Sequence, residues 1–213
     1  MIEINNVEVF GWEAAIRGMR NPMNSWDKSD SYFSLEGKAA KQKWEITVEI
    51  GYNDFALMKK LVAAGTDHSK FMRMINVTAD IKAPLYWWKE YDTYKVGTVA
   101  NSCSTMHKIQ DKPFTLDDFS REHLLTGGIY QLERLIDYLN DARDDYNRTK
   151  DKLYWWQMIQ LLPSSYNQLR TVQLNYAVLR NMYHARKEHK LDEWREFCKW
   201  IDLQIPYGEL ITL

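Results

Sequence analysis

Cysteine, glycine and long apolar runs are all scarce in this chain of 213 residues, and each scarcity closes off a class of protein. Two cysteines, Cys103 and Cys198, make no disulfide framework, so packing must hold the fold. Only nine glycines occur, and they form neither a Walker pattern nor a dinucleotide fingerprint, which removes P-loop and Rossmann readings. The longest apolar stretches, such as 83–88, fall far short of the roughly 20 residues that cross a bilayer. The first residues, 1–6, lack the basic and apolar regions of a signal peptide, which predicts a cytoplasmic protein with no membrane partner. Neither sign of charge dominates. Twenty-eight Lys plus Arg against twenty-nine Asp plus Glu leaves a net charge of -1, with no global field for a long nucleic acid. A small anion such as a nucleotide needs only a local cluster of donors, which net charge does not reveal. Five histidines are present without zinc spacing, because His184 and His189, five apart, fall on different helix faces, so no metal is expected.

What the chain has in quantity is aromatic surface. Nine Trp and thirteen Tyr in a composition that is 45% hydrophobic exclude disorder and supply a sizeable core. Residues 2–9 alternate through Ile2, Ile4, Val7 and Val9, which predicts an edge strand, followed by a short helix over 12–19 that breaks at 21–24. A polar loop over 24–34 holds Trp26 and Tyr32, rings that anchor a loop or cover a ligand. The spacing of Phe55, Met58, Leu61 and Val62 predicts a helix ended by Gly65. Ile75, Val77, Ala79 and Ile81 then predict a half-buried strand over 73–83. Pro84 suits the first turn of a helix running through Trp87, Trp88, Tyr91 and Tyr94. A loop of short donors and acceptors follows at 101–105.

From about residue 115 the pattern is helical. Thr115 and Asp118 form a capping box. Ile129, Leu132, Leu135, Ile136 and Leu139 trace one apolar face, and the charges over 137–152 form its solvated side and end. A third helix is expected from Ser164 or Ser165, with Leu174, Val178, Met182 and Ala185 on one face. A fourth carries Leu191, Trp194, Phe197, Cys198 and Ile201. With no internal repeat, residues 1–213 read as a single domain. Cys103 with His107 four residues on has the composition of a nucleophile and base, but such pairs are distant in sequence and need an orienting third group, so a small polar loop residue is the preferred reading. Cys198, on an apolar face, reads as core. The pairs Trp87–Trp88 and Trp155–Trp156 read as core and interface packing.

Three segments, in order, resemble the flavin-dependent thymidylate synthases, the ThyX family. Ile81-Lys82-Ala83-Pro84 and the aromatic helix after it are similar to the strand, turn and helix that precede the family signature Arg-His-Arg-x-x-Ser-x-Asn-x-x-Ser-x-Arg. Asn101-Ser102-Cys103-Ser104 resembles the latter half of that signature. Leu162-Pro163 followed by Asn175, Asn181 and Arg186 is similar to the family's Leu-Pro turn and the helix beyond it. The resemblance implies an α+β fold, with a mixed or antiparallel sheet packed against long helices. It also implies FAD as cofactor, a pyrimidine deoxynucleotide as ligand, and reductive methylation of dUMP to dTMP. In that reaction methylenetetrahydrofolate gives the carbon and NADPH reduces the flavin. A homotetramer with sites between subunits is implied as well.

By this resemblance Asn175, Asn181, Arg186 and Lys95 lie against the cofactor, and Asn101, Ser102, Ser104 and Arg186 against the substrate; no catalytic residue is assigned. Residues 175 and 186, eleven apart, are expected to lie about 20° from each other on one helix face three turns apart, with Asn181 pointing elsewhere. Other readings stay open: Asn175 and Asn181 as surface amides, Arg186 as a solvated end charge, Ser104 as a turn hydroxyl. Lys95 is either a solvated lysine or the replacement for a lost arginine. The departures are selective. Tyr94-Lys95-Val96 stand at the Arg-His-Arg positions, Val99 at the first serine, Ser102 at the acidic position and Met106 at the closing arginine. Ile159 and Ala177 occupy two further arginine positions. Neither Met nor Ile replaces an arginine fork on phosphate, so a non-catalytic or substrate-altered binding protein on the same fold is the alternative.

Overall fold

Alternation builds the central sheet. The structure, a computed structural model, describes residues 2–38 and 43–213. In β4 (Asn76–Pro84) Val77, Ala79, Ile81 and Ala83 are buried while Thr78, Asp80 and Lys82 point to the other face, the period of two that a half-covered strand requires. β1 (Glu3–Phe10) pairs with one side of it and β6 (Asn167–Asn175) with the other. β5 (Val99–Ser102) adds to β6, so the order is β1-β4-β6-β5 and every pairing is antiparallel. β1 is an edge strand, as its sequence predicts, and a bulge between Asn5 and Glu8 places Asn6 at φ 51.

Helices cover the inner face of this sheet. α1 (Trp12–Arg20), α2 (Tyr52–Ala63), α3 (Leu85–Tyr91), α6 (Tyr176–Arg186), α7 (Asp192–Gln204) and α8 (Glu209–Thr212) contribute to one core with β4 and β6. Its centre is aromatic: Trp87 meets Trp88 edge-on at 4.8 Å and Trp194 at 4.7 Å, and all three are fully buried. α4 (Thr126–Thr149) and α5 (Lys152–Leu161) enclose a second core. There Leu132, Ile136 and Leu139 pack with Met158, Ile109, Phe114 and Phe119. Gly11, which precedes α1, holds φ 96, and a Cβ there would stand 2.1 Å from the carbonyl oxygen of Met74, so only glycine fits. Among the described residues no helix is long and apolar enough to cross a membrane.

Several sequence expectations move. The loop expected to run to 34 ends earlier, because Tyr32 opens β2 (Tyr32–Lys38), which pairs with β3 (Lys43–Glu49) from Tyr32↔Glu49 onward. Pro84 is the last residue of β4 rather than part of the helix, with ψ 151. Tyr94 lies beyond α3, whose end is closed when the Thr93 hydroxyl donates to the Glu90 carbonyl at 2.7 Å. Asn101 and Ser102 sit in β5 instead of a loop. The Thr115–Asp118 capping box forms, but it caps the short 3-10 turn Leu116–Asp118, and the long helix starts only at Thr126. The helix expected from 164 is in fact β6 followed by α6. Leu174 takes part in the alternation Val172, Leu174 against the core, and the nine-residue pairing with β4 decides for strand.

One buried ion pair fixes the entry to the hairpin. Arg20 donates from Nε to Asp54 at 2.7 Å, and also reaches the carbonyls of Ser25 at 3.1 Å and Lys28 at 2.9 Å. Asp54 accepts in addition from the hydroxyls of Ser29 and Ser31, each at 2.7 Å, and from two backbone N–H groups. Burial by itself raises the carboxyl's pKa, but the bonds from Ser31, Ser29 and Arg20 outweigh it and hold Asp54 below the usual carboxylate range. A lowered folded pKa contributes stability in full above the unfolded value of about 4, and that stability is lost as pH falls below it. Asp54→Asn is therefore expected to cost about 3–5 kcal/mol at pH 7, by leaving the Arg20 charge buried and uncompensated. Urea unfolding at a series of pH values will check this, since the gap between wild type and variant must narrow as the pH is lowered from 5 toward 2, values chosen to bracket an ordinary carboxylate pKa of about 4.

Candidate functional site

The residues singled out by sequence are distributed along one path, from the end of α3 through a turn into β5 and across to the start of α6. The turn is tight: the Tyr94 N–H donates to the Tyr91 carbonyl at 3.0 Å and the Thr98 hydroxyl to the Tyr94 carbonyl at 2.5 Å. Gly97 holds φ 76, and a Cβ there would stand 3.0 Å from Nδ2 of Asn175 and 3.2 Å from Cγ2 of Val178. Glycine at 97 thus lets the turn dock on the first turn of α6. Lys95, two residues earlier, is exposed. Asn175 is the N-cap of α6, accepting from the Val178 N–H at 3.1 Å, with φ -121 and ψ 168. It is extended rather than helical, so the shared helix face expected for 175 and 186 does not exist.

β5 lies at the sheet edge, where Asn101 pairs with Thr171 and Ser102 with Arg170, and both are exposed. The Ser104 oxygen accepts from the N–H groups of Met106 at 3.2 Å and His107 at 2.9 Å, which makes it a turn former. Two residues that the sequence did not single out brace this segment. Gln168 donates to the Cys103 carbonyl at 2.7 Å, and Arg170 donates to Gln168 at 3.0 Å and to Asp92 at 2.7 Å. The Arg170 guanidinium also lies 4.2 Å over the ring of Trp88. Both flanks of the signature-like stretch, Asp92 and Cys103, are thereby tied to β6. No motif marks Gln168 and Arg170, because strand register alone brings them here.

On the outer face of the sheet Asp80 accepts from Thr171 at 2.6 Å and Asn6 at 2.7 Å, which holds its carboxyl below the usual range.

Arg186 and Asn181 are placed elsewhere. Arg186 ends α6, about 15 Å along the helix from its N-cap. Its Nε donates to the Tyr94 hydroxyl at 3.0 Å and its Nη1 to Glu90 at 2.6 Å, and it stacks 5.0 Å over Trp194. His189 joins the same carboxylate at 3.2 Å. Asn181 is exposed. Lys95, Asn101, Ser102, Ser104 and Asn175 lie along one stretch, and Arg186, at the far end of α6, meets that stretch at Tyr94 while ion-paired to Glu90.

Just past Ser104 the chain enters a cavity of 430 Å³ lined by Met106, His107, Tyr146, Lys152, Trp155 and Trp156 together with Gln110. Trp155 is locked there by its indole N–H on the Met106 carbonyl at 3.0 Å, and it meets Trp156 edge-on at 4.8 Å. Trp155 packs on the second core as its pairing suggests, while Trp156 is 45% exposed and opens to the cavity. Lys152 is the first residue of α5, and the Asp151 carboxylate beside it caps that helix by accepting from the Leu153 N–H at 2.9 Å. A planar ring against indole, with an ammonium at the rim, is the chemistry this cavity offers. Trp26, the loop indole read as either anchoring its loop or covering a ligand, donates to Asn21 of its own loop at 2.8 Å.

Among the described residues no three His, Cys, Asp or Glu side chains gather as a metal-holding group. Cys103 is exposed, and burial pushes the Cys198 thiol up to about 11, where it stays protonated.

No family model matches the chain, and no curated protein matches it in sequence. Solved structures match it by shape. A structure of flavin-dependent thymidylate synthase ThyX from Helicobacter pylori, complexed with FAD and dUMP, superposes with a TM-score of 0.66 at 16% identity, over 99% of this chain and 97% of that one. A second structure of ThyX from Helicobacter pylori with FAD and dUMP gives 0.66 at 14% identity, over 99% and 96%. The UMP/dUMP methylase PolB from Streptomyces cacaoi, bound with 5-Br dUMP, gives 0.53 at 13%, over 86% and 76%. Along nearly its whole length, this chain therefore has the fold of the flavin-dependent thymidylate synthases.

Proposed function

We propose that this chain binds a flavin and a pyrimidine deoxynucleotide as a single-domain, ThyX-like protein, and that it works on dUMP by reductive methylation. The observation that carries the reading is the whole-length match in shape to an enzyme complexed with FAD and dUMP. FAD would supply the hydride, methylenetetrahydrofolate the carbon and NADPH the reducing equivalents, while the protein supplies binding, orientation and charge. The residues present fit a nucleotide cofactor through cations outside the signature. Arg186 is committed to Glu90, but Arg73 and Arg180 have no carboxylate partner among the described residues and line one cavity. The pyrimidine is assigned to the 430 Å³ cavity, where the exposed ring of Trp156 would stack on the base and Lys152 and His107 would meet its phosphate in place of the arginine that Met106 replaces. Asn101, Ser102 and Ser104 precede that cavity along the chain, and Asn175 caps α6.

The exposed apolar residues Leu125, Tyr130, Tyr138, Leu153 and Leu161 on and beside α4 and α5 support a homo-oligomer, because a surface of that kind is covered in stable assemblies. A second reading has one observation in its favour. With Tyr94, Val96, Met106, Ile159 and Ala177 at arginine positions, the grip on a phosphate is weakened, which favours a substrate-altered or non-catalytic protein on the same fold.

Two measurements check these readings. The purified protein is expected to take up FAD, show flavin absorbance and lose it on addition of NADPH; a colourless protein that ignores added FAD would sink the flavin reading. In thermal-shift titrations dUMP is expected to bind, and Lys152→Ala to weaken it by about tenfold or more, the worth of one charge-assisted hydrogen bond of about 1.5 kcal/mol. Equal dUMP affinity in the two proteins would remove the pyrimidine from this cavity.

A further inference from the structure

A smaller cavity, of 110 Å³, lies between the end of α2 and the start of α6, and its chemistry is set by two arginines. Arg73 closes the 3-10 turn Lys70–Arg73, and Arg180 projects from the second turn of α6. Thr66 and Ser69 bring hydroxyls, and Met72 and Ala177 form apolar walls. None of the residues lining it is acidic. The wall is firmly built: the Gly65 carbonyl accepts from the N–H groups of His68 and Ser69 and from the Ser69 hydroxyl, each at 3.1 Å.

Arg180 is the anomaly that gives the cavity a meaning. It is partly buried, and among the described residues its Nη1 contacts neutral acceptors, Nε2 of His184 at 3.0 Å and the Ile211 carbonyl at 3.2 Å. Burial lowers its pKa, and no bond to an anion offsets that. Burial, followed by the charges of Arg180 and Lys187, likewise lowers the pKa of His184, so the imidazole stays neutral beside it. Other arginines with buried or half-buried side chains are matched: Arg20 to Asp54, Arg170 to Asp92 and Arg186 to Glu90. A half-buried guanidinium with no carboxylate partner among the described residues, lining one cavity with a second guanidinium and the Thr66 hydroxyl, is matched by a tetrahedral oxyanion that accepts several hydrogen bonds at once. The volume is enough for a phosphoryl group.

We propose that Arg73 and Arg180 form a phosphate-binding site, which takes the phosphoryl or diphosphate group of a nucleotide ligand. This rests on the flavin and dUMP reading for the class of ligand and deepens it by naming the side chains that meet a phosphate.

The test is a set of thermal-shift titrations of the full chain with inorganic pyrophosphate, FAD, dUMP and riboflavin, which has no phosphate. Pyrophosphate is expected to raise the wild-type midpoint saturably, and Arg73→Ala and Arg180→Gln each to weaken it about tenfold. Arg148→Ala, at an exposed arginine paired with Asp145, is expected to leave it unchanged. If FAD affinity falls by the same factor while riboflavin is unaffected, the site holds the flavin's diphosphate; if dUMP falls instead, it holds the monophosphate. Either outcome upholds the site. Should Arg180→Gln not fold, Arg73→Glu decides, since it sets a carboxylate against Arg180 and must abolish pyrophosphate binding. Absence of a saturable pyrophosphate response in the wild type, or equal binding in wild type and folded variants, overturns the proposal. Pyrophosphate binding in a protein that ignores FAD and riboflavin would sink the flavin reading and leave the phosphate site standing.

Discussion

The nine-residue antiparallel pairing of β4 with β6, from Asn76↔Asn175 to Pro84↔Asn167, is the constraint on which the rest of the structure depends. It joins segments about ninety residues apart and satisfies their backbone groups against each other, which is what allows both strands to be buried. Everything near the candidate site follows from it. α3 leaves the end of β4, α6 leaves the end of β6, and β5 adds to the free side of β6. Cross-links then set the angles: the Trp88 indole donates to the Gln168 carbonyl at 3.0 Å, and the Tyr176 N–H to the Ile75 carbonyl at 3.0 Å. A shift of one residue in this register would turn Arg170 away from Trp88 and carry Val172 and Leu174 out of the core.

Arginine is used here mostly as a structural tie. Arg20 gathers the loop after α1, Arg170 joins the end of α3 to the strand beside β5, and Arg186 joins α3 to α6 through Glu90. Each has a carboxylate within 2.7 Å, and each is held by at least one further neutral partner. A guanidinium so engaged has little capacity left for a ligand. Ion pairing therefore sorts the arginines, and among the described residues it leaves Arg73 and Arg180, which line one cavity, without a carboxylate partner.

The aromatic residues divide in the same manner. Trp87 packs edge-on against Trp88 and at a tilt against Trp194 at the centre of the larger core, where their area is worth most to stability. Trp155 and Trp156 share the same edge-on geometry but sit at a rim, so part of their surface remains open beside Met106 and Lys152. Burial, and not residue type, separates the rings that hold the fold from those able to meet a ligand.

The sequence by itself determined much of the architecture, since local period is a local property. Val77, Ala79 and Ile81 marked β4, Leu132, Ile136 and Leu139 marked α4, Gly65 marked the end of α2, and the three signature-like segments pointed to the fold that shape comparison finds. It misjudged 164–175, where Leu174, Val178 and Met182 keep a helical spacing across a strand-to-helix junction; the partner strand that settles the matter lies far away in the chain. Only the tertiary structure decided which polar residues are available. Asn175 is legible as an amide near a helix, but its role as N-cap needs the strand that precedes it, and Arg186 is legible as a charge, but its bond to Glu90 spans 96 positions. Hydrogen bonds and ion pairs depend on distance in space, which order along the chain does not encode locally. That is why the fold could be anticipated from the residues, while the arginines left to hold a phosphate could not.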